Sequence, residues 1–170
     1  MIYSNIPKRK LHGMEYKYMQ IVDMAAKINK ANTIYLDTET YARNFDPQTL
    51  VDTFLQAHKA RTGKRPTEKV LASARSHTEQ LRLEKCVDCK ESDIRLIQIA
   101  LENGDIFVID AFEPDKNSHK DPLYHVFLAI MRKNICGQNL KFDLKMLFSR
   151  WPDLVIGGCW DTMIGHKLCR

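Results

Sequence analysis

Residues 34–40 read "IYLDTET": three apolar or aromatic residues run directly into two acids separated by one threonine. Ile34, Tyr35 and Leu36 are strand formers with no turn residue among them, so the stretch reads as a buried β-strand. Residues two apart on a strand point the same way, which puts Asp37 and Glu39 on one face at its end. Two carboxylates held that close repel, and each raises the pKa of the other. A hard divalent cation is the usual compensation. The alternative is a strand end that enters a polar, solvated turn, and this stretch alone does not choose between them.

The rest of the chain sets the frame. A length of 170 residues suits one domain with a real core. An apolar content of 44% points to a folded globular protein. The five cysteines form an odd set without a regular framework, which favours a reducing, cytoplasmic setting over a secreted one. "MIYSNIPKRKLHG" lacks the apolar centre of a signal peptide, and no apolar run approaches a membrane span. The net charge of +5 is unevenly placed. Residues 55–90 hold nine basic and four acidic side chains, while the remainder is neutral with 17 of each. A charge concentrated in this way suits a polyanionic partner. A solvated helix surface is the bland reading of the same residues.

Periodicity places the elements. Residues 14–30 put Tyr18, Ile21, Val22, Ala25 and Ile28 on one helical stripe, and this helix leads into the strand at 33–38. Two polar helices follow, with Asp46 before Pro47 and Thr67 after Pro66 as their start signals. "DIRLIQIALENGDIFVID" predicts a hairpin turning at Asn103-Gly104. After the polar stretch "EPDKNSHKDP" come a helix at 122–132, a brief strand at 134–138 and a helix with Leu140, Leu144 and Leu147 along one face. "GGCW" predicts a last strand, and Asp161 caps a final helix. The order describes an α/β fold with a mixed sheet, flanking helices and a helical insertion at about 45–90 after the first strand.

A second acidic element lies in "GQNLKFDLKML". Asn139 and Asp143, four apart, share one face if both are helical. Asp143 also interrupts an apolar helix start, an awkward place for an unpaired carboxylate. Should this face meet Asp37 and Glu39, three carboxylates converge. Such a set can hold two Mg²⁺ or Mn²⁺ ions roughly 3.5–4 Å apart, clamping both oxygens of an in-line phosphoryl displacement.

In this order, "LDTET", a hairpin, "GQNLKFDLKML" and "WDTM" resemble the 3′–5′ exonuclease domain of DNA polymerase I-type (family A) polymerases. That domain belongs to the DEDD exonuclease superfamily, whose fold is ribonuclease H-like. The resemblance covers most of the chain outside the insertion. It implies that Asp37, Glu39 and Asp143 bind the metal ions and carry catalysis. Glu39 would also orient the attacking water, and Asn139 would support the site or the substrate strand. Thr38 and Thr40 would meet the 3′-terminal nucleotide. The implied partner is the 3′ end of single-stranded DNA in replication or repair. The insertion departs from the family; its positive charge, placed directly after Glu39, suggests that Lys64, Arg65 and their neighbours guide the strand, the alternative being that its helices dock on another protein or another part of the same polypeptide. Leu140 and Phe142 would be core or wedge residues.

The third motif of that family is an Asp four residues after a Tyr or His. No such pair occurs here, and His166 is followed four positions later by Arg170. The resemblance is therefore to the first two-thirds of the domain, a C-terminally incomplete form that fits a fragment, a split protein or a degenerate homologue, with a polymerase domain or a chain supplying the missing motif as the candidate partner. Two further readings share the first two motifs: a catalytically incomplete nucleic-acid-binding domain, and an RNA 3′-end exonuclease. Cys86-Val87-Asp88-Cys89, with His58 or His77, is a candidate zinc site against a bland reading of two ordinary thiols. Asp110 reads as a turn acid that could face the site, and Asp161 as a cap before a ligand.

Overall fold

The computed structural model describes residues 1–6, 15–43, 45–88, 90–112 and 123–169. The acidic pair lies on an interior strand of its sheet, β3 (Thr33–Ala42), which runs on past Glu39, so the pair sits mid-strand and not at the strand end expected from the sequence. Burial alternates along it as the pleat requires: Ile34, Leu36 and Thr38 face inward, while Tyr35, Asp37 and Glu39 are exposed. The strand is thus half-buried, and Tyr35 at 46% exposure corrects the expectation of a wholly buried run.

Six more strands complete the sheet. β1 (Ile2–Ser4) and β2 (Lys17–Tyr18) precede helix α1 (Ile21–Asn29). The pattern had suggested helix from residue 14, but the backbone pairs Lys17 and Tyr18 with Tyr3 and Ser4 instead. Helix α1 then buries Ile21, Met24, Ala25 and Ile28, an i, i+3, i+4, i+7 stripe, and leaves Val22 in solvent. β4 (Ser92–Leu101) and β5 (Ile106–Asp110) form the expected antiparallel hairpin. The turn uses Gly104 at φ 82°, with its N–H donating to the Leu101 carbonyl. Next come α4 (Tyr124–Ile130), β6 (Asn134–Gly137), α5 (Leu140–Arg150), β7 (Gly158–Asp161) and α6 (Thr162–Leu168).

The strand order is β2-β1-β5-β4-β3-β6-β7, with β1 parallel to β5, β3 parallel to β6 and β6 parallel to β7. The sheet is mixed, as predicted. Ile34, Leu36, Ile97, Ile99, Phe107, Ile109 and Ile135 build its buried face, and α1 and α4 pack on one another. The N-terminal strands were missed because three and two residues are too short to show a period.

Residues Met1–Thr40 and Ile94–Arg170 form one compact unit, and Tyr41–Asp93 form a second. The second unit is an antiparallel pair of helices, α2 (Pro47–Thr62) and α3 (Glu68–Val87). Asp46 caps α2 by accepting from Gln48 N–H at 3.0 Å, Pro47 occupies the first turn, and Gly63 ends the helix at φ 67°. At the base of the pair, Arg43 N–H donates to the Glu91 carbonyl at 2.7 Å and the Arg43 guanidinium lies 3.7 Å from Asp93. Cys86 is buried at the end of α3, whereas Cys89, and with it the candidate zinc pair, lies outside the described residues. The stretch 113–122 lies outside them as well.

Candidate active site

The acids of the first and second motifs meet through a threonine. Asp143, in the first turn of α5, is only 3% exposed. Its Oδ1 accepts from the Thr38 backbone N–H at 2.8 Å and from the Thr38 hydroxyl at 2.6 Å. Thr38 is the residue between Asp37 and Glu39, and the strand alternation turns it inward toward α5. Burial pushes the Asp143 carboxyl above the ordinary carboxylate range; the Thr38 bonds oppose that, and repulsion from Asp37 adds to it. Asp37 Oδ2 accepts from the Gln98 amide at 3.1 Å across the β4–β3 boundary, and Glu39 is exposed on the same strand face as Asp37.

Several local features hold α5 in this position. Gly137 ends β6 where a Cβ would lie 2.7 Å from the Leu36 carbonyl oxygen, so only glycine lets the strand approach β3 at this level. Asn139 then takes a left-handed backbone, φ 52°, as the cap residue of α5. Asparagine tolerates that conformation better than most side chains. Its own side chain does not cap the helix. The acceptor comes from Asp161 instead, whose carboxylate receives the N–H groups of Asn139 at 3.1 Å, Leu140 at 2.9 Å and, in α6, Met163 at 2.9 Å. Thr162 adds a bond from its hydroxyl to the Gly137 carbonyl at 3.1 Å. The "DT" pair at 161–162 thus holds the starts of two helices at once.

Asn139 is exposed and precedes the helix, so its spacing of four from Asp143 is not a shared helical face. Thr38, expected to meet a terminal nucleotide, is buried and spends both donors on Asp143. Thr40 is half-buried near the end of β3, and Lys64 and Arg65 are exposed in the second unit. Asp110 is 2% exposed, pairs with Arg95 and accepts from Phe112 N–H, while its backbone exchanges hydrogen bonds with the Asn5 amide. It is a structural acid. Leu140 is core, at 1% exposure. The Gln98 contact, the Thr38 contacts and the triple grip of Asp161 were not foreseen. Only the last left a signal: a helix start after asparagine with an unanswered set of N–H groups.

Carboxylate oxygens suit a hard divalent ion, and a cation beside Asp37 and Asp143 would relieve their repulsion. The donor chemistry fits in this respect. The two-ion arrangement is not assembled, however: among the described residues no three His, Cys, Asp or Glu side chains are grouped to hold an ion. A groove of about 280 Å³ lies beside Asp37, lined by Tyr35, Asp37, Gln98, Cys136, Gly137 and Thr162 among others.

No family model matches the chain, and no curated protein matches it. Solved structures that share its architecture include two exonuclease-related chains. The EXO domain of Aedes aegypti Nibbler superposes with a TM-score of 0.50 at 10% identity, over 99% of this chain and 56% of that one. Escherichia coli RNase D, described as an exoribonuclease involved in structured RNA processing, superposes with a TM-score of 0.50 at 12% identity, over 92% of this chain and 29% of that one. The fold is the ribonuclease H-like α/β fold shared with those structures. This chain spans about half of the first and under a third of the second. Among the described residues no helix is long and apolar enough to cross a membrane.

Proposed function

We propose that the chain is a nuclease module of the 3′–5′ exonuclease kind, receiving the 3′ end of a nucleic-acid strand beside Asp37, midway along β3. The observation that carries this reading is the Thr38–Asp143 contact. It sets the acid of the second motif against the residue between the two acids of the first, although 105 positions separate them in the chain. A chain with no use for that cluster would not be expected to bury a carboxylate beside another acid, since the arrangement costs stability.

Each side chain has a task in this reading. Thr38 fixes the orientation of Asp143 and leaves its second oxygen uncommitted to Thr38. Gln98 orients Asp37. Glu39, exposed on the same face, accepts the proton of the attacking water. Asp37 and Asp143 would hold Mg²⁺ or Mn²⁺, which when bound supplies charge stabilisation to the phosphoryl oxygens. Asn139, exposed at the head of α5, is available to the substrate strand.

DNA is the substrate implied by the motif resemblance, and proofreading beside a polymerase region is the finer form of that reading. RNA is the second reading, favoured by the likeness in fold to an exoribonuclease. The test incubates the chain with 5′-labelled DNA and RNA oligonucleotides, with Mn²⁺ or with chelator. Metal-dependent shortening from the 3′ end, reduced at least about a hundredfold by Asp37→Asn and by Asp143→Asn, is expected. No shortening of either polymer, or shortening that both variants retain, overturns the reading. The polymer degraded faster decides between DNA and RNA.

A further inference from the structure

The second unit carries a charge pattern that helix stability does not explain. Between Lys59 and Lys69 lie Lys59, Arg61, Lys64, Arg65 and Lys69, all exposed, against the single acid Glu68. Of the five other cations of this unit, three behave differently: Arg82 pairs with Glu79, Lys85 with Glu91 and Arg43 with Asp93, which is how a solvated helix surface interleaves its signs, while Arg75 and Lys90 are dispersed along the chain. Among the described residues no ion pair reaches the five cations at the tip.

The helix dipole sharpens the contrast. Lys59 and Arg61 lie in the last turn of α2, where a positive charge is favourable. Lys64 and Arg65 lie in the turn between Gly63, which ends α2, and Thr67, which starts α3, and Lys69 is the second residue of α3, where a positive charge is unfavourable. Lys69 is therefore placed against the local field, and the five cations against one another.

A second feature adjoins them on α2. Phe54, Ala57, His58 and Arg61, spaced i, i+3, i+4, i+7, line a shallow hollow of about 220 Å³ on one face of the helix. The Phe54 ring lies 6.2 Å from the His77 ring of α3, which holds it in place. Arg61 belongs to both the hollow and the tip. Cations beside an aromatic platform are the combination by which proteins hold single strands: phosphates on the cations, a base stacked on the ring.

We propose that the α2–α3 pair is an arm that binds single-stranded nucleic acid. Lys64, Arg65 and Lys69 take backbone phosphates, and the hollow at Phe54 and His58 takes a base. The choice of nucleic acid as the polyanion rests on the exonuclease reading above. An acidic protein segment would satisfy the charge but not the hollow.

The experiment measures anisotropy of a short labelled single strand with the full chain, in chelator so that nothing is cleaved, across a salt series. Replacing two phosphate-binding cations, Lys64→Gln with Arg65→Gln, should weaken binding and reduce the slope of log affinity against log salt by about 1.4. Phe54→Ala should weaken binding about fivefold or more with the slope unchanged. Far-UV circular dichroism verifies that the helices persist, and His58→Ala reads the hollow independently should Phe54→Ala lose them. An unchanged slope in the double variant overturns the arm, as does equal competition by a duplex of the same sequence or by polyglutamate. Cleavage is scored separately with Mn²⁺. Absence of cleavage by the unaltered chain counts against the nuclease reading, whereas an unchanged salt slope counts against the arm.

Discussion

Asp143 gathers most of the chemistry at the scale of single residues. Its raised pKa means that the folded chain binds this proton more tightly than the unfolded chain does. Stability from this group is therefore complete below the unfolded value near 3.8 and falls as pH rises through the folded value. Asp143→Asn keeps an oxygen for the two Thr38 donors and removes the charge, so it should match or exceed the parent in urea midpoint at pH 7. The advantage should vanish as pH falls toward 4. Asp143→Ala strips both donors of their acceptor and should lose roughly 1–3 kcal/mol. A denaturant series at pH 4 and pH 7 checks all three statements. Asn139 offers a second test: its left-handed backbone predicts that Asn139→Gly is nearly neutral in thermal stability, while Asn139→Val costs roughly 1–2 kcal/mol.

Elements are joined here by capping as much as by packing. Asp161 supplies the acceptor for the start of α6 and for the start of α5, twenty-two residues earlier at Asn139. Asp161→Ala should cost about 1–3 kcal/mol, more than an ordinary cap, because three N–H groups lose one partner. Asp161→Asn keeps one acceptor oxygen and should cost less. Hydrogen exchange localises the effect: faster exchange at Leu140 and Met163 is expected, with α1 unaffected. Uniform loss of protection across the sheet would show instead that these two helix starts carry no local stability of their own. In the second unit, by contrast, the cap at Asp46 is local, and its bonds from Thr49 and Gln48 hold that carboxyl below the usual range. Helix α2 should therefore be most stable above the unfolded value and weaken as pH falls through the folded one.

On the scale of the whole molecule, a divalent ion is the natural counterweight to Asp37 and Asp143. Binding to the folded chain alone stabilises by mass action, about 2.7 kcal/mol when the ion stands at a hundred times its dissociation constant. Thermal melting with and without Mn²⁺ should show a rise in the parent and a smaller one in Asp143→Asn. Equal rises in both would move the ion away from this pair.

What the sequence determined by itself was local and periodic. The alternation in "IYLDTET", the Asn-Gly turn, the start signals of the insertion helices and the cap at Asp161 each depend on residues within one or two turns of each other, and all are read from neighbours along the chain. The same locality explains the failures. Lys17 and Tyr18 became strand because β1 lay beside them, overriding a helical period. Asn139 left the helix because β6 had to turn at Gly137 against the Leu36 carbonyl. Only tertiary structure could decide that Thr38 would be the residue donating to Asp143. The partners lie 105 residues apart, and a buried carboxylate takes whichever donors the packed chain presents.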